Sequence, residues 1–415
     1  MIEWTEQHQM IRDAVRRFID AEIVPNLDEL EHGDMPPYDI LRKLYATFGI
    51  DELNRARFAK MIEKATAAEA GAPVEDAPRS DADRGDRGDG AAMQLIPIIE
   101  LCRHCPGMVT AMGVSVGLTG SAVMSKGTIE QKERWGLDLL TFDKIGAWAI
   151  TEPGSGSDAF GGMRATARRE GDEFVLDGSK TFITNGPYAD TIVFICKLDE
   201  PGAEPRDRKI LQFVLERGLP GLAQSTPARK MGMHSSPTGE LYLSGVRAGM
   251  DRLLGGERAL AKGAGRSSAK DTFQTERSGV AAMALGIVER CLELSVAYAK
   301  ERVQFGQPIG QFQLIQDKLA RMEVARLNLQ NLVFRVIEGA ATGRPMTLAE
   351  ASALKLYAAR AAVEVAMEAV QVFGGNGYMS EYRVEQLARD AKVLQIYAGT
   401  DEMQIRAIAL DLLKA

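Results

Sequence analysis

After Trp148 the sequence changes period. The runs 164–169, 173–176, 181–184 and 191–197 read as short strands, separated by Gly171-Asp172, Asp177-Gly178 and Asn185-Gly186. Such dipeptides supply the positive backbone angles that tight hairpins need. Further strands are predicted at 211–215 and 240–243, so residues 146–254 read as a small antiparallel barrel or sandwich.

Both flanks have helical spacing. In residues 1–145, Ile11, Val15, Phe18 and Ile19 fall on one stripe, followed by a small-residue stretch over 109–123. The segment 65–91, rich in Ala, Gly, Pro and alternating charge and containing Arg84-Gly85-Asp86-Arg87-Gly88-Asp89, has little apolar payload and reads as a flexible surface insertion. Residues 270–415 carry Val280, Ala284, Ile287, Cys291 and Leu294 on a first helix, and Ile315, Leu319, Met322, Leu329 and Val336 on a second. Thr347-Leu348-Ala349-Glu350 is a capping box opening a third helix that ends at Gly374-Gly375. A last helix over 400–413 makes a bundle of about four. The fold class is α+β.

A net charge of -7 offers no basic face to nucleic acid or an anionic membrane. The first ten residues lack the basic-then-apolar succession of a secretory signal, and no apolar stretch reads as a bilayer span. Without secretion, the Arg-Gly-Asp repeat is not an adhesion motif. Four cysteines, only Cys102 and Cys105 closely spaced, suit a reducing, cytoplasmic setting, and a lone C-x-x-C does not complete a metal site.

Five blocks carry chemistry: Thr151-Glu152-Pro153-Gly154-Ser155-Gly156-Ser157-Asp158, leading on to Gly178–Gly186; Phe273-Gln274-Thr275-Glu276-Arg277; Arg302-Val303-Gln304-Phe305-Gly306 with Gln313; Gln371-Val372-Phe373-Gly374-Gly375; and Tyr397-Ala398-Gly399-Thr400. In this order they resemble the FAD-dependent acyl-CoA dehydrogenase family over nearly the whole chain. The resemblance implies a fold of N-terminal helical domain, central antiparallel barrel and C-terminal four-helix bundle.

In most of that family the residue before the Gly-Thr pair is the glutamate that removes a substrate proton, but here it is Ala398. The isovaleryl- and long-chain-type branch carries the base directly before an arginine at the start of the bundle, which makes Glu276 the implied base. The same resemblance implies that the Ala398 amide polarises the thioester carbonyl, and that Ser157, Arg277 and Gly399 contact acyl-CoA. Thr151, Gly156, Ser157, Phe182 and Thr184 would meet the flavin of FAD, and Trp148, Thr400 and Glu402 would also bind the cofactor. Arg302, Phe305 and Gln313 would hold its adenosine and diphosphate half, and Gln371, Gly374 and Gly375 would reach the FAD of a neighbouring subunit. The implied activity is α,β-dehydrogenation in fatty acid β-oxidation, by a homotetramer that passes electrons to an electron-transfer flavoprotein. Three alternatives stand beside it: a flavin monooxygenase of the same fold, a nitroalkane-type oxidase using Asp401, and a non-catalytic acyl-CoA-binding flavoprotein.

Overall fold

The computed structural model describes residues 3–69, 81–200, 202–204, 206, 208–261, 264–344 and 346–414, and for 81–86 and 264–275 the backbone alone. Thr5 starts the chain's first helix by accepting the His8 amide while the His8 ring accepts its own, a capping box on α1 (Glu6–Phe18). There follow α2 (Leu27–His32), α3 (Tyr38–Thr47), α4 (Ile50–Glu69), α5 (Asp81–Cys102), α6 (Pro106–Met112) and α7 (Ser121–Lys126).

The segment 65–91 differs from its sequence reading. It is helical on both sides of residues 70–80, which lie outside the described residues. Arg87 Nη2 donates to the Ala341 carbonyl, and a Cβ on Gly88 would sit 3.0 Å from the Ala341 methyl. Small residues here serve close helix contact, and composition alone reads them as a loop. A second difference concerns Pro106–Lys126, a helical run of 21 residues with mean hydropathy 1.4, long and apolar enough to cross a bilayer. Half of this apolar stretch is buried inside the protein, as in a core helix.

The central region is one sheet of β1 (Gly146–Ala149), β2 (Thr166–Glu170), β3 (Glu173–Thr184), β4 (Thr191–Leu198), β5 (Ile210–Glu216), β6 (Leu222–Gln224) and β7 (Thr238–Gly249). Its order is β1-β4-β2-β3-β7-β6, with β5 also on β4. Most pairings are antiparallel as expected, but β1 and β2 run parallel to β4. Alternation along β4 sends Ile192, Phe194 and Cys196 into one core with Phe174 and Phe213, and Val193 and Ile195 into another with Trp135 and Trp148. Asp177-Gly178 is not a hairpin: β3 continues through it with a register shift, and Gly178 takes φ +148° where a Cβ would lie 2.6 Å from that of Ala165.

Among the described residues the bundle has five helices where about four were expected: α8 (Ala264–Glu301), α9 (Gln313–Thr342), α10 (Leu348–Phe373), α11 (Val384–Val393) and α12 (Asp401–Leu412). The unanticipated α11 buries Gln386 and Asp390 alongside Val384, Leu387 and Ala391, and these polar positions break its apolar stripe. Between α8 and α9, β8 (Val303–Gln304) and β9 (Gln307–Pro308) form a two-residue hairpin.

Candidate active site

Ahead of α12 the chain makes a turn in which Ala398 takes φ +53° and Gly399 φ +87°. For alanine this left-handed geometry costs about 1–2 kcal/mol, and buried donors hold it. Gln404 Nε2 donates to the Ala398 carbonyl at 3.1 Å and to the Gly399 carbonyl at 2.8 Å, and Lys355 Nζ donates to the Gly399 carbonyl at 2.8 Å. The Ala398 N–H has no acceptor among the described residues.

Glu276 reaches this corner from α8. The helix begins at Ala264, so Glu276 lies about three turns in, beyond the first-turn dipole that a helix-start position would have given it. Burial pushes its carboxyl up to about 7 against the lowering fields of Arg277 and Lys355, although the residue keeps an accessible edge. Arg277 turns towards α10, donating from Nη1 to Ser352 Oγ at 3.0 Å, and its Nη2 lies 3.6 Å from where a Cβ on Gly399 would be. Its buried Nε has no partner among the described residues. The Tyr397 hydroxyl meets Met283 Sδ at 3.1 Å and reaches Thr110, and its pKa is raised by burial first and then by the charge of Glu276. Glu276, Arg277, Ala398 and Gly399 therefore share one corner.

On the sheet side, the 151–158 loop is fixed from beneath by Glu152, which accepts the Arg164 amide at 2.6 Å, the Ala165 amide at 2.9 Å and Lys180 Nζ at 2.9 Å. The Thr151 carbonyl accepts the Thr181 amide at 2.9 Å, while Gly156 and Ser157 are exposed. At Gly154 and Gly156 a Cβ would meet nothing within 4 Å. Phe182 occupies a second register shift of β3, at φ +56°, and its side chain stands 76% exposed, beside half-buried Thr184. Trp148 is buried, with Lys126 Nζ 5.5 Å from its ring.

The other predicted cluster lies at the far end of the bundle. Phe305, at φ +51° on the β8–β9 hairpin tip, is 94% exposed, and Arg302 and Gln313 are exposed nearby. Gln371, Gly374 and Gly375 end α10, where Phe373 stacks on Tyr298 at 4.0 Å. Glu276 and Glu301 are separated by 25 residues of one helix, about 37 Å at 1.5 Å per residue.

The N-terminal, middle and C-terminal domains of acyl-CoA dehydrogenases match residues 5–54, 147–246 and 263–413. A 3-(aryl)acrylate reductase from Clostridium sporogenes is 35% identical over 418 residues, 99% of this chain and 100% of its own. The chain belongs to the acyl-CoA dehydrogenase family. Butyryl-CoA dehydrogenase from Megasphaera elsdenii superposes with TM-score 0.81 at 32% identity, covering 100% of both chains. Glutaryl-CoA dehydrogenase from Mycobacterium smegmatis in complex with FADH2 gives TM-score 0.82 at 26% identity over 99% of this chain and 95% of that one. None of these three names is of the isovaleryl or long-chain type, so that branch finds no support in them.

Within this acyl-CoA dehydrogenase, three assigned residues have competing engagements. Asp401, the nitroalkane-type candidate, is tied to Arg360 at 3.0 Å and lies 3.8 Å from Lys355. Thr400 caps α12 through the Met403 amide at 3.4 Å, and exposed Glu402 sits in that helix's first turn with its carboxyl held low by a backbone N–H and Thr400. Sequence reasoning missed Lys355 and Gln404. A lysine on the stripe Ala351, Leu354, Ala358, Ala359 was a legible signal, whereas Gln404 had none.

Proposed function

We propose that this chain converts an acyl-CoA thioester to its trans-2-enoyl-CoA, with Glu276 as the base and FAD as the oxidant. One observation carries the reading: the Glu276 carboxyl, raised to about 7, shares a corner with the Ala398 turn, whose N–H has no acceptor among the described residues. A base poised near the working pH and a donor ready for developing oxygen charge are what loss of a weakly acidic α-proton requires.

The residues suit FAD. Phe182 offers an exposed ring, Gly154 and Gly156 leave open space for a flat ligand, and Phe305 and Arg302 are free to meet adenine and phosphate. When bound, FAD supplies the acceptor for the β-hydride. The chain does the rest: Glu276 takes the α-proton, the Ala398 amide donates to the thioester oxygen, and Arg277 borders the coenzyme A tail.

Because about 37 Å of α8 separates Glu276 from the Arg302 hairpin, the two ends of one chain serve different FAD molecules. This favours a dimer that shares its cofactors, and two dimers make the tetramer. We place the enzyme in the cytoplasm, with an electron-transfer flavoprotein as its oxidant. The butyryl and glutaryl names among its relatives favour a short-chain acyl group, with the isovaleryl- and long-chain layout retained only in the position of the base.

Anaerobic mixing of the FAD-loaded protein with butyryl-CoA and a panel of other acyl-CoAs tests this. Bleaching of the flavin band supports dehydrogenation. Binding without bleaching by every member supports the non-catalytic reading instead, and rapid reaction of the reduced protein with oxygen supports a monooxygenase.

A further inference from the structure

Lys355 occupies a position where packing favours an apolar side chain. It lies wholly buried on α10 among Ala351, Leu354, Ala358 and Ala359, and an ammonium placed there gives up its hydration. Its Nζ donates to the Gly399 carbonyl at 2.8 Å, and Asp401 Oδ1 stands 3.8 Å away. Asp401 itself is drawn aside by Arg360 at 3.0 Å. The groups facing the lysine are Glu276 and Arg277 from α8 and Asp401 from α12. Those facing Glu276 are Arg277, Lys355 and, from the turn, Tyr397.

We infer that Lys355 is a positioning residue, one buried ammonium that both clamps the Ala398–Gly399 turn and faces the Glu276 carboxylate. The inference rests on the proposed dehydrogenation and adds a residue to it. Gln404 shares the clamping, since its Nε2 bonds both turn carbonyls, but it carries no charge towards the base. The two contributions are therefore separable. Burial lowers Lys355 to about 8, with Asp401 opposing, so the ammonium form prevails at neutral pH and its field lowers the Glu276 carboxyl.

The test uses FAD-loaded holoenzyme and follows flavin reduction by butyryl-CoA, or by whichever acyl-CoA bleaches the wild type, from pH 6 to 9. Lys355→Gln keeps a donor for the Gly399 carbonyl but loses the charge, so the acidic limb of the rate profile moves up by about one pH unit. Gln404→Leu weakens the clamp and keeps the charge, so reduction slows about tenfold with the limb in place. A Lys355→Gln enzyme whose limb stays put overturns the inference. If that variant does not retain FAD, the pH dependence of its urea midpoint decides: the stability lost through the Glu276 window moves up by about one pH unit under the inference, and a window that stays put overturns it. A wild type that no acyl-CoA reduces overturns the functional reading and this inference together.

Discussion

Lys180 Nζ meets Glu152 Oε1 at 2.9 Å, and the lysine is entirely out of contact with water. The same carboxylate receives the Arg164 and Ala165 amides, so one buried charge pair ties β3 to the loop that begins at Thr151. Burial lowers the Lys180 pKa although Glu152 raises it, so the lysine depends on its partner to remain charged. Removing one member leaves the other stranded, at about 3–5 kcal/mol. Glu152→Ala is expected to lose that much in urea unfolding and to release FAD. Glu152→Ala with Lys180→Met should recover part of it, because residues in contact couple. A Glu152→Ala protein of wild-type stability would contradict this account of the loop.

As the proposed base, Glu276 would link activity to stability through one pKa. An unfolded glutamate titrates near 4.5 and the folded carboxyl near 7. Between those values the native state binds more protons, so stability attributable to this group falls as pH rises through the window and is fully lost above it. Glu276→Gln is expected to stabilise the protein by about 1–3 kcal/mol at pH 8 and by nothing measurable at pH 4. It should also lose about two or more decades of flavin reduction while staying yellow. The wild-type reduction rate should climb with pH through about 7, because only the ionised carboxylate accepts a proton. Thermal melts at the two pH values and stopped-flow traces check both halves. Near-normal turnover in Glu276→Gln would remove the base assignment.

Phe182 is strained where it stands. At φ +56° a residue with a Cβ costs about 1–2 kcal/mol, and a 76% exposed ring recovers little of that by packing within the chain. Phe182→Gly should raise the melting temperature of the cofactor-free protein and weaken FAD binding about tenfold, since the aromatic face is lost. Differential scanning of apo-protein and a fluorescence titration with FAD measure the two effects. Unchanged affinity would show that the ring meets no cofactor.

The sequence disclosed elements whose signals are local. Gly171-Asp172 and Asn185-Gly186 mark real turns, and the Thr347 capping box opens α10 where expected. Asp177-Gly178 carries the same local signature, yet a bulge and a hairpin both ask for glycine at positive φ, and only the contact with Ala165 separates them. At Gly88, the lack of a side chain permits docking on α9, a contact that no local stretch of sequence contains. The site shows the same division. Glu276 and Ala398 stand in motifs that the sequence displays, whereas the buried pairing of Lys355 with a carbonyl 44 residues later is a tertiary fact. Its trace in sequence is only a lysine on an apolar stripe.

Asn185 joins parts of the chain that are distant in sequence. Fully buried at φ +63°, it donates from Nδ2 to the Ala111 and Gly146 carbonyls, each at 2.9 Å, and accepts the Tyr38 hydroxyl at 3.1 Å. Its own amide donates to the Pro237 carbonyl at 2.7 Å. Asparagine suits this place because it tolerates left-handed backbone and offers both donors and an acceptor. Asn185→Ala adds backbone strain and leaves two buried carbonyls and a hydroxyl unpaired, so the expected loss is about 3 kcal/mol or more. Tyr38→Phe removes one bond and should cost about 1 kcal/mol. Urea midpoints at constant slope report both. If Asn185→Ala unfolded within about 0.5 kcal/mol of wild type, the N-terminal helices would have to be held against the sheet by apolar packing alone.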